Sequence, residues 1–266
     1  RQLASVSWRQ CGDKPQTYIY TSEGIRMVTF TAPNGKRKVN PSSVEFWRGF
    51  VDGVEIVAVA TNLKLASENI KTGDTIQTYI MPVAVSPLAA VDNGMDKAVC
   101  GDCPLRPKLA QANGTAECYV DLGRSVGSVW RAFTRGSYPI VTPAELGEMV
   151  KASGKLFRQG SWGDPARVPV NVWDQVDTTK GTSYTHQWRF NPEMKKFSMA
   201  SAGTVAEAAE AQAMGFRTYR VDIENVGPVN GEIACPNTAD KSVKCADCGL
   251  CSGNRSGAKS IMIEVI

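Results

Sequence analysis

Histidine is almost absent from this chain of 266 residues, which contains only His186. A mechanism that needs an imidazole titrating near neutral pH has this one residue to use, although a perturbed carboxylate, lysine or thiol could serve instead. His186 lies two residues before Trp188 in a predicted strand, where a hydrogen-bonded packing role is an equal alternative. The sequence therefore offers a single candidate imidazole for catalysis.

Long apolar runs are absent as well. No run approaches the roughly 18 residues that a membrane helix needs, and the N-terminal residues lack the charged-then-apolar pattern of a secretion signal. The formal charge of +4 falls well short of a basic stripe, so charge gives only weak support for a nucleic-acid ligand. We predict a soluble, cytoplasmic protein with no membrane partner.

Two common catalytic motifs are missing. The sequence has no Gly-x-Ser-x-Gly nucleophile elbow, which leaves a Ser-His-Asp mechanism with little support. It has no P-loop either. The segment 61–73 is rich in hydrogen-bonding side chains and ends in a glycine. This segment could hold a phosphate or another anion, and a plain surface turn is the alternative.

Cysteine, by contrast, is plentiful. Cysteines separated by two intervening residues, in a long chain without a secretion signal, indicate zinc or iron–sulfur ligation rather than disulfides. The first cysteine set comprises Cys100, Cys103 and Cys118, the second cysteine set comprises Cys235, Cys245, Cys248 and Cys251, and Cys11 stands alone. The placement therefore favours metal sites over disulfides.

The second cysteine set gives the strongest chemical signal in the sequence. Two-residue spacers separate Cys245, Cys248 and Cys251, as in loops that fold round a cubane cluster, and Cys235-Pro236 supplies a more distant thiol. Zinc knuckles usually use paired Cys-x-x-Cys units, so a third cysteine at the same spacing is unusual for zinc. We predict a [4Fe–4S] cluster here, with zinc as the alternative.

The first cysteine set has three thiols and no clear fourth ligand. Gly101 permits the backbone to bend between Cys100 and Cys103, so that both sulfurs can face one ion. Structural zinc needs four protein ligands, whereas a cubane held by three cysteines leaves one iron open for a small ligand. Cys11 or His186 could still complete the site. We expect a second metal centre or a contribution to a shared one.

The pattern of apolar residues predicts an α/β fold. Residues 1–95 contain short strand-like runs, among them 17–20 and 25–31, the second followed by the turn signal Asn34-Gly35. Helical and strand patterns alternate from about residue 126, which favours a parallel sheet. We predict a β-rich N-terminal segment, 1–95, and a partial or complete parallel (β/α) barrel over 96–266, with an open wound sheet as the alternative.

Functional residues of parallel α/β folds gather at the carboxyl ends of the strands. Predicted strands end at or just before Arg158, His186 and Cys235, and Asp164 lies in the loop after Arg158. We therefore expect these residues on one rim, with Arg158, Asp164 and His186 as candidate catalytic residues. A rim ion pair between Arg158 and Asp164 is the structural alternative. Core packing is the favoured interpretation of Trp162, Trp173 and Trp188.

The cysteine sets, together with segments 69–73, 158–165 and 184–188, resemble a family of uncharacterised, cysteine-rich proteins found mostly in bacteriophages. The resemblance covers roughly residues 50–266. The sequence is also loosely similar to phage proteins described as radical-SAM-like, in which a Cys-Tyr dipeptide, here Cys118-Tyr119, precedes a barrel. The resemblance implies an iron–sulfur protein with a barrel, present in a bacterial host cell.

The radical-SAM pattern itself is not reproduced. Its Cys-x3-Cys-x2-Cys signature is replaced by the wider spacing of the first cysteine set, and no Gly-Gly-Glu segment for S-adenosylmethionine is present. Our leading hypothesis is an iron–sulfur protein that acts on a small molecule or nucleotide by redox chemistry. The alternatives are a zinc-stabilised module that binds nucleic acid and a protein whose cluster is purely structural.

Overall fold

The computed structural model describes residues 6–9, 16–21, 24–28, 41–67, 69–114, 118–176, 181–229, 231–253, 255 and 257–264. The chain divides into two compact units, Arg1–Val39 and Asn40–Ile266. The division falls at residue 39 rather than at the predicted residue 95, because the strands between 44 and 82 pair with one another and with a strand that begins at residue 156.

The first unit contains a three-stranded antiparallel sheet of β1 (Val6–Arg9), β2 (Gln16–Thr21) and β3 (Gly24–Val28), in that order. Strands β2 and β3 pair antiparallel and correspond to the predicted runs 17–20 and 25–31. The predicted turn at Asn34-Gly35 and the solitary Cys11 lie outside the described residues.

The first sheet of the second unit is mixed. It contains β4 (Val44–Val51), β5 (Val54–Thr61), β6 (Thr75–Pro82), β7 (Leu156–Trp162) and β8 (Gly181–Thr182), in chain order. Strands β4, β5 and β6 pair antiparallel, and β6, β7 and β8 pair parallel. Asp52 and Gly53, with φ of +51° and +77°, form the two-residue turn between β4 and β5.

The second sheet is entirely parallel. It contains β9 (Tyr184–Thr185), β10 (Met199–Ala202), β11 (Thr218–Asp222), β12 (Glu232–Ala234) and β13 (Ser260–Glu264), in the order β12-β13-β11-β10-β9. The α/β class and its β-rich N-terminal part are confirmed. The predicted barrel is not shown, because hydrogen bonding defines two sheets and the hairpin between β4 and β5 makes one of them mixed.

The helices are short. They are α1 (Pro87–Asn93), α2 (Lys97–Cys100), α3 (Pro107–Asn113), α4 (Gly127–Thr134), α5 (Pro143–Ser153), α6 (Val170–Trp173), α7 (Val205–Ala213), α8 (Pro236–Ala239) and α9 (Cys245–Cys248). In α5 the Thr142 hydroxyl accepts from the Glu145 N–H at 3.2 Å, and the Glu145 carboxylate accepts from the Thr142 N–H at 2.7 Å. This capping box fixes the residue at which α5 begins. No helix within the described ranges is long and apolar enough to cross a bilayer.

Tryptophans fill much of the core around the first sheet. Trp162, Trp173 and Trp188 are all buried. The Trp173 indole N–H donates to the Pro165 carbonyl at 2.9 Å, and that of Trp188 donates to the Ser201 carbonyl at 3.0 Å. Buried indoles with satisfied N–H groups are packing residues. The interpretation of these three tryptophans as core is therefore confirmed.

Candidate functional site

The four thiols of the second cysteine set line one small cavity. Its walls also include Thr182 from β8 and Ile261 from β13, so both sheets of the second unit contribute to it. Cys235 and Cys251 are buried, whereas Cys245 and Cys248 are partly buried. The predicted grouping of these cysteines around one place in the fold is therefore reproduced.

Main-chain hydrogen bonds fix the segments that carry these thiols. The Cys245 N–H donates to the Lys71 carbonyl at 3.1 Å and the Ala246 N–H to the Thr72 carbonyl at 2.9 Å, which ties α9 to the turn before β6. The Cys235 N–H donates to a carbonyl of β13 at 2.7 Å. The cavity is thus built on backbone that is already held in register with the sheets.

Arg217 fastens the chain on the far side of the second cysteine set. Its guanidinium, which is buried, donates to five main-chain carbonyls between residues 250 and 259. The bonds to Leu250 and Ser252 measure 2.8 and 2.7 Å. Because both residues adjoin Cys251, Arg217 determines where that thiol lies.

The thiols of the second set interact with one another. Burial raises the pKa of Cys251 to about 12, and the neighbouring Cys245, Cys235 and Cys248 add to the rise. Burial also raises the pKa of Cys245, whereas the nearby cation Arg158 opposes the rise. These two thiols are therefore protonated at neutral pH, and a metal that binds them must displace their protons.

Within the described ranges, no three His, Cys, Asp or Glu side chains meet the geometry of a metal site. The donors of the second set nevertheless suit a thiolate-ligated centre. Four thiols line the cavity, and the charged residue beside them is Lys244, a cation. Soft thiolate ligands select iron–sulfur clusters and zinc, and an adjacent cation stabilises the negative charge of either centre.

Gln187 holds the first cysteine set in its bend. Helix α2 ends at Cys100, and Gly101 follows with φ of +58°, a conformation that favours glycine. A Cβ atom on Gly101 would lie 2.4 Å from the Gln187 side-chain amide, so a larger residue would displace that amide. The Gln187 amide donates to the Cys100 carbonyl at 3.3 Å and accepts from the Asp102 N–H at 3.2 Å. The bend predicted at Gly101 is therefore confirmed.

Two further contacts complete the loop of the first set. The Cys118 N–H donates to the Leu105 carbonyl at 2.8 Å, which brings this third cysteine back to the turn after Cys103. Arg106 binds the Asp96 carboxylate through two hydrogen bonds of 2.8 and 2.7 Å. A bidentate arginine–carboxylate pair is geometrically specific, so it fixes the position of the loop that carries Cys100 and Cys103.

The three thiols of the first set are partly buried. Burial raises the pKa of each, that of Cys103 to about 12. Cys103 and Cys118 both raise the pKa of Cys100 further by electrostatic repulsion, and the Asp164 carboxyl does the same to Cys100 and Cys103. The three cysteines therefore lie near one another, and the Asp164 N–H donates to the Val99 carbonyl next to Cys100 at 2.7 Å. Their role as metal ligands stays a prediction.

Asp164 and His186 are neighbours. One Asp164 carboxyl oxygen accepts from the Thr185 hydroxyl at 2.7 Å and the Ala166 N–H at 2.9 Å, and the other accepts from the His186 N–H at 2.8 Å. Both oxygens accept hydrogen bonds, so a metal that took Asp164 as a fourth ligand would have to compete with them. Burial lowers the pKa of His186 to about 4, and the imidazole is therefore neutral at pH 7. The catalytic roles of both residues stay predictions.

The structure divides the predicted rim into two places. Asp164, His186 and Cys235 do follow the carboxyl ends of β7, β9 and β12. Arg158 does not, because β7 continues to Trp162 and leaves Arg158 on the face of the sheet. The charge of Arg158 lowers the pKa of Cys245 in the second set, whereas Asp164 lies beside the first set.

Two tyrosines without a predicted role pack beside the second set. The Tyr184 and Tyr219 rings lie 4.4 Å apart, and the Tyr184 hydroxyl interacts with the Cys251 sulfur. Burial raises the pKa of both phenols. No local sequence signal identifies them, since they lie on β9 and β11 and meet only when the parallel sheet forms.

Opposing titrations of Asp164 and His186 give a testable pH dependence. Burial raises the pKa of Asp164 from 3.8 to about 6, so its contribution to stability is present below about pH 4 and is lost as the pH rises through about 6. The pKa of His186 is lowered from 6.5 to about 4, so its contribution is lost as the pH falls through about 4. Each shift corresponds to about 3 kcal/mol, so the two slopes largely cancel.

We expect Asp164→Asn to remove one of these slopes. The free energy of unfolding of the variant, measured by urea denaturation between pH 4 and 7, should rise with pH by about 3 kcal/mol more than that of the unchanged protein. The Asn carbonyl can still accept from Thr185 and Ala166, but the amide nitrogen cannot accept from the His186 N–H, so the variant also loses stability at every pH and the slope is the readout. Parallel curves for the two proteins would show that Asp164 ionises normally.

No protein-family model matches the sequence, and comparisons with curated proteins and with solved structures likewise find no match. The function is therefore inferred from the residues themselves.

Proposed function

We propose that the protein binds a [4Fe–4S] cluster through Cys235, Cys245, Cys248 and Cys251 and uses it for electron transfer or for redox activation of a small molecule or nucleotide. The observation that carries the proposal is that these four thiols line one cavity, on segments hydrogen-bonded to β13 and to the turn before β6. Cys-x-x-Cys-x-x-Cys with a distant Cys-Pro is the ligand pattern of cubane clusters. When bound, the cluster supplies one-electron chemistry.

The surroundings of the second set favour a redox role over a purely structural one. Arg158 acts on Cys245 and also lines a neighbouring cleft of about 560 Å³, a volume typical of small-molecule sites. A substrate in that cleft would lie beside the thiolate centre. A structural cluster needs no such cleft.

The first cysteine set forms a second candidate centre within this proposal. Its three thiols are gathered, and the nearby Asp164 carboxyl is occupied by hydrogen bonds. A cluster held by Cys100, Cys103 and Cys118 would therefore present one iron to a small ligand.

The predicted parallel (β/α) barrel is also part of the proposal. Strands β8 and β9 belong to different sheets and are separated only by Ser183, so the two sheets adjoin along one interrupted strand.

Metal analysis of anaerobically purified protein tests the proposal. We expect a brown protein with a broad visible absorption band, containing iron and acid-labile sulfide in equal amounts and at least four of each per chain. A colourless protein with stoichiometric zinc would contradict it. Salt-dependent binding of that zinc protein to DNA or RNA would instead support the nucleic-acid-binding module.

A further inference from the structure

A polar cleft opens on the first sheet, beside the second cysteine set. Its volume is about 560 Å³. Strands β5, β6 and β7 form its floor through Thr61, Gln77, Tyr79 and Arg158, and further hydroxyl and amide side chains form its walls. We call this feature the polar cleft. Sites for small molecules have this size, but their linings are usually more apolar, so the cleft suits a hydrophilic ligand.

The floor of the polar cleft is a row of residues in register. Thr61 pairs with Gln77, Gln77 with Arg158, and Arg158 with Thr182 across four adjacent strands. Residues paired in register place their side chains on the same face of a sheet. Thr182 lines the cysteine cavity. One row therefore joins the polar cleft to the second cysteine set, and Arg158 stands between them.

Arg158 is the cation of the polar cleft, and it lacks a carboxylate partner among the described residues. The one side chain that contacts its guanidinium there by hydrogen bond is the Tyr119 hydroxyl, at 3.0 Å. The carboxylate of Asp121 also lines the cleft, but it pairs with Arg124 at 3.0 Å. A partly buried charge without a counter-ion is unfavourable, and an anion in the cleft would relieve that cost.

The floor beside Arg158 is already ordered by hydrogen bonds. The Ser161 hydroxyl donates to the Gln77 side-chain carbonyl at 2.5 Å, and the Gln77 amide donates to the Thr72 hydroxyl at 3.3 Å. Gln77 is buried. Because these groups are fixed before a ligand arrives, little ordering is needed on binding.

We propose that the polar cleft binds a small polar molecule through an oxyanion, a carboxylate or a phosphate monoester, held by Arg158 and the Tyr119 hydroxyl. The planar guanidinium carries five N–H donors, so it can bind the oxyanion and keep its hydrogen bond to the Tyr119 hydroxyl. The inference rests on the proposed function in naming the substrate class of that site. The binding step itself needs no metal.

Calorimetric titration of the purified protein with inorganic phosphate, phenyl phosphate and benzoate tests the inference. We expect at least one probe to bind, and Arg158→Gln to weaken its binding at least about tenfold, with partial recovery in Arg158→Lys. Preference for phenyl phosphate over benzoate assigns a phosphate, and the reverse assigns a carboxylate. Arg189→Gln is the matched control, because Arg189 is exposed and pairs with Glu210 outside the cleft.

If the Arg158 variants fail to fold, Tyr119→Phe tests the same site. Tyr119 is 79% exposed, so this change spares the core, and loss of its hydroxyl should weaken probe binding about threefold or more. Absence of binding by all three probes, or equal affinity in Arg158→Gln, would overturn the inference. So would binding of single-stranded DNA without binding of any probe.

Iron content measured on the same samples separates this inference from the proposed function. A colourless zinc protein that binds a probe through Arg158 would overturn the iron–sulfur proposal and support the oxyanion site. A brown protein that binds no probe would do the reverse.

Discussion

Cys248→Ala is expected to remove the iron and the visible absorption that the second cysteine set contributes. Cys248 is one of four thiols around the cavity, and it belongs to the one-turn helix α9 together with Cys245. A [4Fe–4S] cluster normally takes four thiolate ligands, so the variant would expose one iron to water beside Lys244. We expect the iron content to fall by about four per chain.

Two further variants make the result specific. Ser252→Ala is the matched control, because Ser252 adjoins Cys251 and its buried hydroxyl has no hydrogen-bond partner in the described part of the chain. It should keep its iron. Cys118→Ala should lose only the iron that the first set holds. Retention of full iron by Cys248→Ala would refute the ligand assignment.

Arg217→Met is expected to destabilise the segment that carries Cys251. Arg217 donates to five carbonyls between residues 250 and 259, and the methionine would leave all of them without this donor. Unsatisfied buried carbonyls cost about 1 kcal/mol or more each, although water reaches some of them after the change. We expect a loss of about 3 kcal/mol in the free energy of unfolding.

Urea denaturation measures this loss, and the rate of iron release to a chelator gives a second readout at the cysteine set. Arg255→Met is the matched control, since Arg255 is exposed in the same segment and, among the described residues, its guanidinium has one hydrogen bond, of 3.5 Å, to the Gly249 carbonyl. Equal stability and equal release rates in both variants would show that Arg217 does not position Cys251.

Local signals in the sequence predicted the parts of the fold that depend on neighbouring residues. The starts of α5 and α7 follow from Thr142 and Thr204, whose hydroxyls accept from the N–H three residues later. Gly154 ends α5 with φ of +66°. The two cysteine sets were predicted from spacing for the same reason, because each bend is a property of a few consecutive residues.

The predicted position of Arg158 on the rim was wrong, because it depends on pairing between strands that are distant in sequence. The predicted strand over 155–158 stops at Arg158, but the strand continues because the Gly160 N–H donates to the Thr78 hydroxyl on β6 at 2.8 Å. That extension moves Arg158 from the rim to the face. The hairpin of β4 and β5 was missed although Asp52-Gly53 is a strong turn signal.

Electron paramagnetic resonance of the anaerobically purified protein, before and after reduction with dithionite, tests the central claim most directly. An oxidised [4Fe–4S] cluster has an even number of electrons, and one-electron reduction makes it paramagnetic. We predict a silent spectrum before reduction and a signal afterwards, of which Cys248→Ala loses the part that the second cysteine set contributes and Ser252→Ala keeps all. A protein that stays silent in both states and carries zinc in place of iron would contradict the account.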